Sequence, residues 1–428
     1  MLEPLQTLFL RSRLVTIDSR TPQPGAIFFG LQGEKSNGGQ YAPQALEQGA
    51  ALAVVDRPAY VVSPQCLLVN DALRTLQNLA SWYRSTLHIP IVAITGTNGK
   101  TTTKELLHTT LSSRYRCYAT EGNLNNQIGV PLTLLRIPPN AQIAIVEMGA
   151  SRPGDIKELC QLASPTHGLI TSIGLAHLEG FGSPEGVQRT KGELFEYLKQ
   201  HGGTAFVRTD DPSIAALDER LHIGCSGSRY SLDAYHVACT TTHEGLLDLT
   251  FTAPSYEGTI HTQLVGSYNA INAVAALHLA YFFNVPLAEA AERIAAYTPS
   301  NHRSQLVRTA RNTLILDAYN ANPSSMAAAL EAFKQLPAPN KRIILGAMRE
   351  LGQASPSYHQ QLCQQAESIA PTHVLYVGRE FEPIAPSSRY FCSLQPLKAY
   401  LVQQQPSGCT ILVKGSHSVG LEAVADLL

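Results

Sequence analysis

The residues best suited to chemistry form one short run, Thr95-Gly96-Thr97-Asn98-Gly99-Lys100-Thr101-Thr102-Thr103. It lies between the apolar stretch Ile89-Pro90-Ile91-Val92-Ala93-Ile94 and a segment with helical spacing at 101–111. A strand feeding a helix through two glycines lets the backbone turn tightly and aim its N–H groups inward. The dipole at the new helix N-terminus then favours an anion. Lys100 supplies a point charge able to reach terminal phosphates, and the Thr101 hydroxyl can ligate Mg²⁺. The run departs from the usual GxxxxGK[ST] spacing, whose first glycine would fall on Ile94. The competing reading is a tight strand–helix turn with a surface lysine.

Other polar groups fall where the same chemistry would need them. Glu147 ends the apolar run 143–146, at the carboxyl edge where ligands of open α/β sheets gather. A carboxylate opposite Thr101 suits a hard divalent ion, although it could equally be an edge carboxylate in water. His177 follows a second strand-like run at 168–173 and should open into the same crevice; alone, it reads as a structural histidine. Asn123, Asn125 and Asn126 precede an apolar helix, where they could cap it or hold a substrate carboxylate. Asn269 and Asn272 are spaced to share a helix face, and as buried amides they need partners, either a purine or their own chain. Arg303, at a break in the pattern, is either a hinge cation or a solvated linker charge. Asp317, Tyr319, Asn320 and Asn322 end another strand, where turn capping competes with ligand contact.

The elements that must position these groups are those of an α/β chain. At 428 residues the prior is about three domains. Apolar runs alternate with helical patterns, which predicts a doubly wound parallel sheet in the centre. A small N-terminal α/β domain is expected at 1–85, a central nucleotide-binding domain at 86–300 and a Rossmann-like domain at 301–428. The stretch 204–265 is rich in β-formers and turns, which predicts an antiparallel edge or insert. The formal net charge of −1 gives no reason to expect a nucleic-acid or anionic-membrane partner. Apolar runs are far shorter than the ~20 residues of a membrane span, and the N-terminus does not read as a secretory signal. Eight scattered cysteines without a CxxC pair fit a reducing compartment, so a cytoplasmic protein is expected.

The run Thr95 to Thr101 resembles the shortened phosphate loop of the Mur ligase family. Further matches are Asn123-Leu124-Asn125-Asn126-Gln127-Ile128-Gly129-Val130-Pro131, Glu147-Met148-Gly149, Ala176-His177-Leu178-Glu179, Lys191-Gly192-Glu193 and Asp317-Ala318-Tyr319-Asn320-Ala321-Asn322-Pro323. The last is the most subfamily-specific of these and resembles the members that join D-alanyl-D-alanine to UDP-MurNAc-tripeptide. The resemblance implies an ATP-dependent, ADP-forming ligase of peptidoglycan synthesis, working through an acyl phosphate and expected to be a monomer. It implies ATP contacts from Thr95, Gly96, Thr97, Asn98, Gly99, Lys100, Thr101, Thr102, Asn269, Asn272, Arg303 and Asp317. Two Mg²⁺ sites are implied, held by Thr101, Glu147, His177 and a carbamylated Lys191; without the resemblance Lys191 is an ordinary helix lysine. Catalysis would rest on Lys100, Lys191, His177 and Arg303. Substrate contacts are implied for Asp18, Ser19 and Arg20 at the UDP end, and for Asn123, Asn125, Asn126, Tyr319, Asn320 and Asn322 in the cleft.

Departures from the family pattern are Ala347 in place of an acid, His417 in place of arginine, and Asn37-Gly38-Gly39-Gln40 where Asp-Gly-His is common. They bear on substrate contacts and leave the ATP residues intact. A diamino-acid-adding relative is the nearest rival, but the DNPR run of some such enzymes is absent. Folylpolyglutamate synthases usually carry Gly after the loop lysine, where this chain has Thr101. A non-ligating nucleotide switch is the rival of a different class, and it would hydrolyse ATP without an amine acceptor.

Overall fold

The apolar run before the phosphate loop becomes the strand Ile91–Thr95, buried along its whole length as a continuous hydrophobic run in a parallel sheet should be. The computed structural model describes residues 2–33, 36–176, 178–253, 256–338 and 340–428. Ile91–Thr95 lies near the middle of a six-stranded, all-parallel sheet. Its neighbours are Ile143–Glu147 on one side and His167–Ile170 on the other. Cys117–Ala119 forms one edge, and Thr204–Arg208 and Gly227–Tyr230 extend the other. The chain leaves Ile91–Thr95 for one half of the sheet and later returns beside it for the other half. The carboxyl end of that strand is therefore the switch point where such sheets bind ligands.

The antiparallel insert expected within 204–265 is present, but only in the second part of that stretch. Its first part, with the helix Pro212–Leu221, continues the parallel sheet. Only Ala238–Thr241, Leu246–Ala253 and Tyr256–Val265 form an antiparallel three-stranded sheet. Alternating burial on the last two strands marks one face against the core and one in solvent.

Two further sheets flank this centre. Val15–Thr16, Ile27–Phe29, Leu52–Val55 and Cys66–Leu68 make a four-stranded parallel sheet. The C-terminal six-stranded sheet runs in the order Gln305–Arg308, Thr313–Asp317, Thr410–Lys414, Lys341–Gly346, Val374–Val377, Tyr390–Phe391. It is parallel except for its first pair. That antiparallel edge strand, Gln305–Arg308, had no signal in the sequence. It is half-buried and short, so it lacks a long apolar run. The helix Leu287–Ala296 was missed as well, because its apolar positions are mostly alanine.

Capping side chains start several helices. Asp71 accepts from the N–H of Arg74 to open Ala72–Thr86, and Ser183 accepts from Gly186 to open Pro184–Gln200. Helix Ala72–Thr86 joins the first sheet to the central one, and a single hydrophobic cluster runs through both, from Leu5 to Ile223. Arg84, on its last turn, is buried and donates to the carbonyls of Ala163 (2.8 Å), Leu87 (2.6 Å) and Ser164 (2.9 Å). Arg84→Met should therefore strand several carbonyls and lower stability by about 3 kcal/mol, read as an earlier urea midpoint with unchanged slope. An unchanged midpoint would show that the guanidinium contributes nothing to this junction.

Candidate active site

The phosphate loop needs glycine at two places. Gly96 has φ 146° and Gly99 φ 81°, both in the region that L side chains avoid. A Cβ on Gly96 would fall 2.1 Å from Thr171 Oγ1, and one on Gly99 would fall 2.5 Å from Asn272 Oδ1. The loop is thus pressed against its neighbours and opens the helix Lys100–Leu111 in one conformation. Thr171 Oγ1 donates to the Asn98 carbonyl at 2.5 Å, and the Asn98 N–H donates to Ser172 Oγ at 3.0 Å. Lys100 Nζ donates to the carbonyls of Gly96 (2.7 Å) and Thr97 (3.3 Å). Burial holds the Lys100 pKa below the usual lysine value, opposed by the nearby Glu147 carboxylate, with Arg303 adding to the depression.

Beyond the loop, Thr101 Oγ1 donates to Glu147 Oε2 at 2.9 Å, and Asn125 Nδ2 donates to Oε1 at 2.8 Å. Glu147 is almost wholly buried. A desolvated carboxylate beside a hydroxyl is a hard oxygen donor set, which fits Mg²⁺. Adjacent strands of one sheet bring Thr101 and Glu147 together, as their positions at the carboxyl edge predicted.

These groups open into a cavity of about 570 Å³ whose other wall comes from the C-terminal sheet and its junction. Gly96 to Thr102, Asn123, Asn125, Asn126, Glu147, Lys191, Asn269, Asn272, Arg303, Asp317, Tyr319 and Asn320 all line it. Lys100, Lys191, Arg208, Arg303 and Lys414 outnumber Glu147, Asp155 and Asp317 in its lining, which favours a polyanion. Lys191, on helix Pro184–Gln200, is buried, with its Nζ 5.5 Å from the Phe181 ring centre. Burial, reinforced by the Lys100 charge, pushes its pKa down to about 7, while Asp155 and Glu193 pull it up.

Arg303 lies flat on Tyr319, its guanidinium carbon 3.6 Å from the ring centre, and its Nε is buried without a hydrogen-bond partner among the described residues. His417 stacks near the same ring, at 5.7 Å between centroids. The arginine-to-histidine departure thus places a planar nitrogen-bearing group beside Tyr319. The Ala347 departure has a steric side. Ala347 is wholly buried, and its Cβ lies 2.6 Å from where Gly378 would carry one, so the ground around it is already filled.

Several expected site residues are placed differently. Thr95 is buried below the cavity, its hydroxyl donated to the Met148 carbonyl at 2.8 Å. Asn126 reaches the cavity edge, but its Oδ1 accepts from the N–H groups of Ile128 and Gly129, which is the capping alternative. Asn269 and Asn272 line the cavity with their amides already paired: Asn272 Nδ2 donates to Asn269 Oδ1 (2.9 Å), Asn269 Nδ2 to the Val265 carbonyl, and Thr103 Oγ1 to Asn272 Oδ1. Asp317 accepts from Lys414 Nζ at 2.5 Å, and Asn320 Oδ1 accepts from the Ala321 N–H. Asn322 does not line the cavity; it caps helix Pro323–Gln335. Asp18, Ser19 and Arg20 lie in the first sheet unit, away from this cavity. Asp18 pairs with Arg20 at 2.7 Å, which holds its carboxyl down at about 2, and Ser19 bonds Gln44. His177 lies outside the described residues.

Gln127, Asp155, Arg208, Tyr268 and Lys414 line the cavity without having been singled out as site residues. Arg208 and Lys414 end parallel strands at the carboxyl edge, so the rule that exposed Glu147 would have found them too. Tyr268 left no sequence signal; its hydroxyl meets Ser304 Oγ at 2.6 Å across the junction.

A phosphate loop at the switch point of a parallel sheet, faced by a second α/β sheet that closes one cavity with it, defines a nucleotide-binding α/β protein. The chain belongs to the Mur ligase family: the Mur ligase family catalytic domain matches 12–91, the Mur ligase middle domain 94–280 and the Mur ligase glutamate ligase domain 302–417. It is 34% identical over 430 residues to UDP-N-acetylmuramoyl-tripeptide--D-alanyl-D-alanine ligase of Escherichia coli (strain K12), covering 97% of this chain and 93% of that one. The structure superposes on MurF from Acinetobacter baumannii with a TM-score of 0.85 at 27% identity, covering 99% of this chain and 98% of the other. It superposes on the MurF ligase from Thermotoga maritima in complex with ADP with a TM-score of 0.83 at 26% identity, covering 98% and 97%.

Proposed function

We propose that this chain joins D-alanyl-D-alanine to UDP-MurNAc-tripeptide at the expense of ATP, forming ADP and phosphate. The observation that carries the reading is the shared cavity, in which the phosphate loop and the Thr101–Glu147 pair face Arg303, Asp317 and Tyr319. Condensing a carboxylate with an amine in water is uphill, so the acid must first be made electrophilic. The tripeptide's terminal carboxylate takes the γ-phosphoryl group of ATP, giving an acyl phosphate. The amine of the dipeptide attacks its carbonyl carbon, and the tetrahedral adduct expels phosphate as the amide forms.

The chain's own residues serve this sequence through charge and position. Backbone N–H groups of 96–101 and Lys100 Nζ hold the β- and γ-phosphates, and Arg303, braced on Tyr319, approaches the transferred group from the other unit. Thr101 and Glu147 would hold one Mg²⁺. Lys191 as a carbamate, with His177, would hold the second. When bound, the metal neutralises charge on the phosphate oxygens as a Lewis acid. The depressed Lys191 pKa supports the carbamate, because CO₂ adds only to a neutral amine. Asn123 would take the peptide end of the nucleotide-sugar, beside Asn125 held on Glu147 and Asn126 capping the next helix, with Asp18, Ser19 and Arg20 at its UDP end. Tyr319 and Asn320 would face the dipeptide. In this reading 1–85 binds the nucleotide-sugar, 86–300 binds ATP and 301–428 presents the dipeptide. Among the described residues no helix is long and apolar enough to cross a membrane. A cytoplasmic monomer is the state this reading expects.

Phosphate release should require ATP, UDP-MurNAc-tripeptide and D-alanyl-D-alanine together, with a new amide product seen by mass spectrometry. Release that persists without the dipeptide would favour the nucleotide switch, and release with a single diamino acid as acceptor would favour the diamino-acid-adding enzyme.

A further inference from the structure

The side chain of Asn98 points away from the loop's own domain. Its main chain is held from the central sheet by Thr171 and Ser172, but its amide reaches the start of helix Pro323–Gln335 in the C-terminal unit. Asn98 Nδ2 donates to Ser324 Oγ at 2.9 Å, Ser324 Oγ donates to Asn322 Oδ1 at 2.9 Å, and Asn322 Nδ2 donates back to Asn98 Oδ1 at 2.8 Å. The bonds form a closed ring in which each donor faces an acceptor, an arrangement whose members polarise one another. The fit is close: a Cβ on Gly174 of the central unit would sit 2.9 Å from Ser324 Oγ.

We propose that Asn98, Asn322 and Ser324 form a clasp that couples occupancy of the phosphate loop to closure of the C-terminal unit, and that Asn98 is a positioning residue in it. Phosphate bound on the loop's N–H groups further stabilises the backbone conformation that presents the Asn98 amide to Asn322 and Ser324. By reciprocity, the formed clasp holds the loop in the phosphate-binding conformation, so closure strengthens nucleotide binding by the same factor that nucleotide strengthens closure. Asn322 and Ser324 do not line the cavity themselves; their bonds to the phosphate loop run through Asn98.

The coupling of closure to nucleotide rests on the ATP reading above; the clasp itself does not. The test uses the full chain with a non-hydrolysable ATP analogue, comparing wild type with Ser324→Ala, Asn322→Ser and the double variant. Serine at 322 retains a hydroxyl able to cap the helix, so folding is preserved while the amide donor is lost. One such bond shifts an equilibrium by about fivefold and two by about 25-fold, so the double variant should bind the analogue ~25-fold more weakly. Its small-angle scattering should show a larger radius of gyration than wild type, with and without the analogue. Unchanged scattering together with unchanged affinity would overturn the clasp. Wild type that fails to bind the analogue would count against the ATP reading, and the scattering comparison would still decide the clasp.

Discussion

Lys100→Ala should lower the rate of ligation by ~10³ or more while leaving the chain folded. Lys100 is the cation that the phosphate loop itself carries, and its Nζ already rests on the Gly96 and Thr97 carbonyls, where the helix start would gather terminal phosphates. Negative charge builds on the leaving oxygen as the γ-phosphoryl group transfers, so the loss should fall on kcat more than on KM. Lys100→Arg should not restore the rate, because a planar fork cannot occupy the space between those carbonyls as a compact ammonium does. The measurement is phosphate release with all three substrates, beside far-UV circular dichroism. Substantial ATP-dependent product from Lys100→Ala would contradict the assignment of the loop.

Lys191 carries the second large effect. Its pKa of about 7 leaves much of the amine neutral near neutrality, the form that adds CO₂. Activity at low CO₂ should therefore rise as pH climbs through 7 and should increase when bicarbonate is added. Lys191→Ala should lose ~10²–10³ in kcat and stop responding to bicarbonate. Stability gives an independent sign. The unmodified folded lysine releases its proton near 7, whereas the unfolded one holds it to about 10.5. Between these values the unfolded state binds more protons, so stability rises with pH. Below 7 both states are protonated and the full penalty of burying the cation applies. Lys191→Met should accordingly resist urea better than unmodified wild type at pH 7, with the gap closing towards pH 10.5. Bicarbonate-independent activity at every pH, joined to an unchanged urea midpoint in the methionine variant, would remove both the carbamate and the buried amine.

Much of this architecture could be read along the chain. Continuous apolar runs such as Ile143–Glu147 and Val374–Val377 declare parallel strands because both faces of such a strand are covered. The loop and Glu147 were legible because their chemistry is local, set by neighbours a few residues away and by the end of a strand. Gln305–Arg308 was hidden, because an edge strand needs only half a hydrophobic face. The pairing of Asn269 with Asn272 could be foreseen as spacing on a helix. That they would satisfy each other, Thr103 and Val265 could not, because two of those partners lie on other elements.

By itself, the order of residues determined that the chain folds into α/β units, that a phosphate loop begins the helix at Lys100, and that a carboxylate ends a neighbouring strand. Patterns of period and turn act over ten residues or fewer, and a single chain displays them. Only the tertiary structure decided that Asn98 reaches Asn322 and Ser324, that Arg303 lies on Tyr319, and that Lys191 is buried deeply enough to lose its proton near neutrality. Each of these depends on the free energy of groups far apart in sequence, whose desolvation and partners are fixed when the sheets pack together.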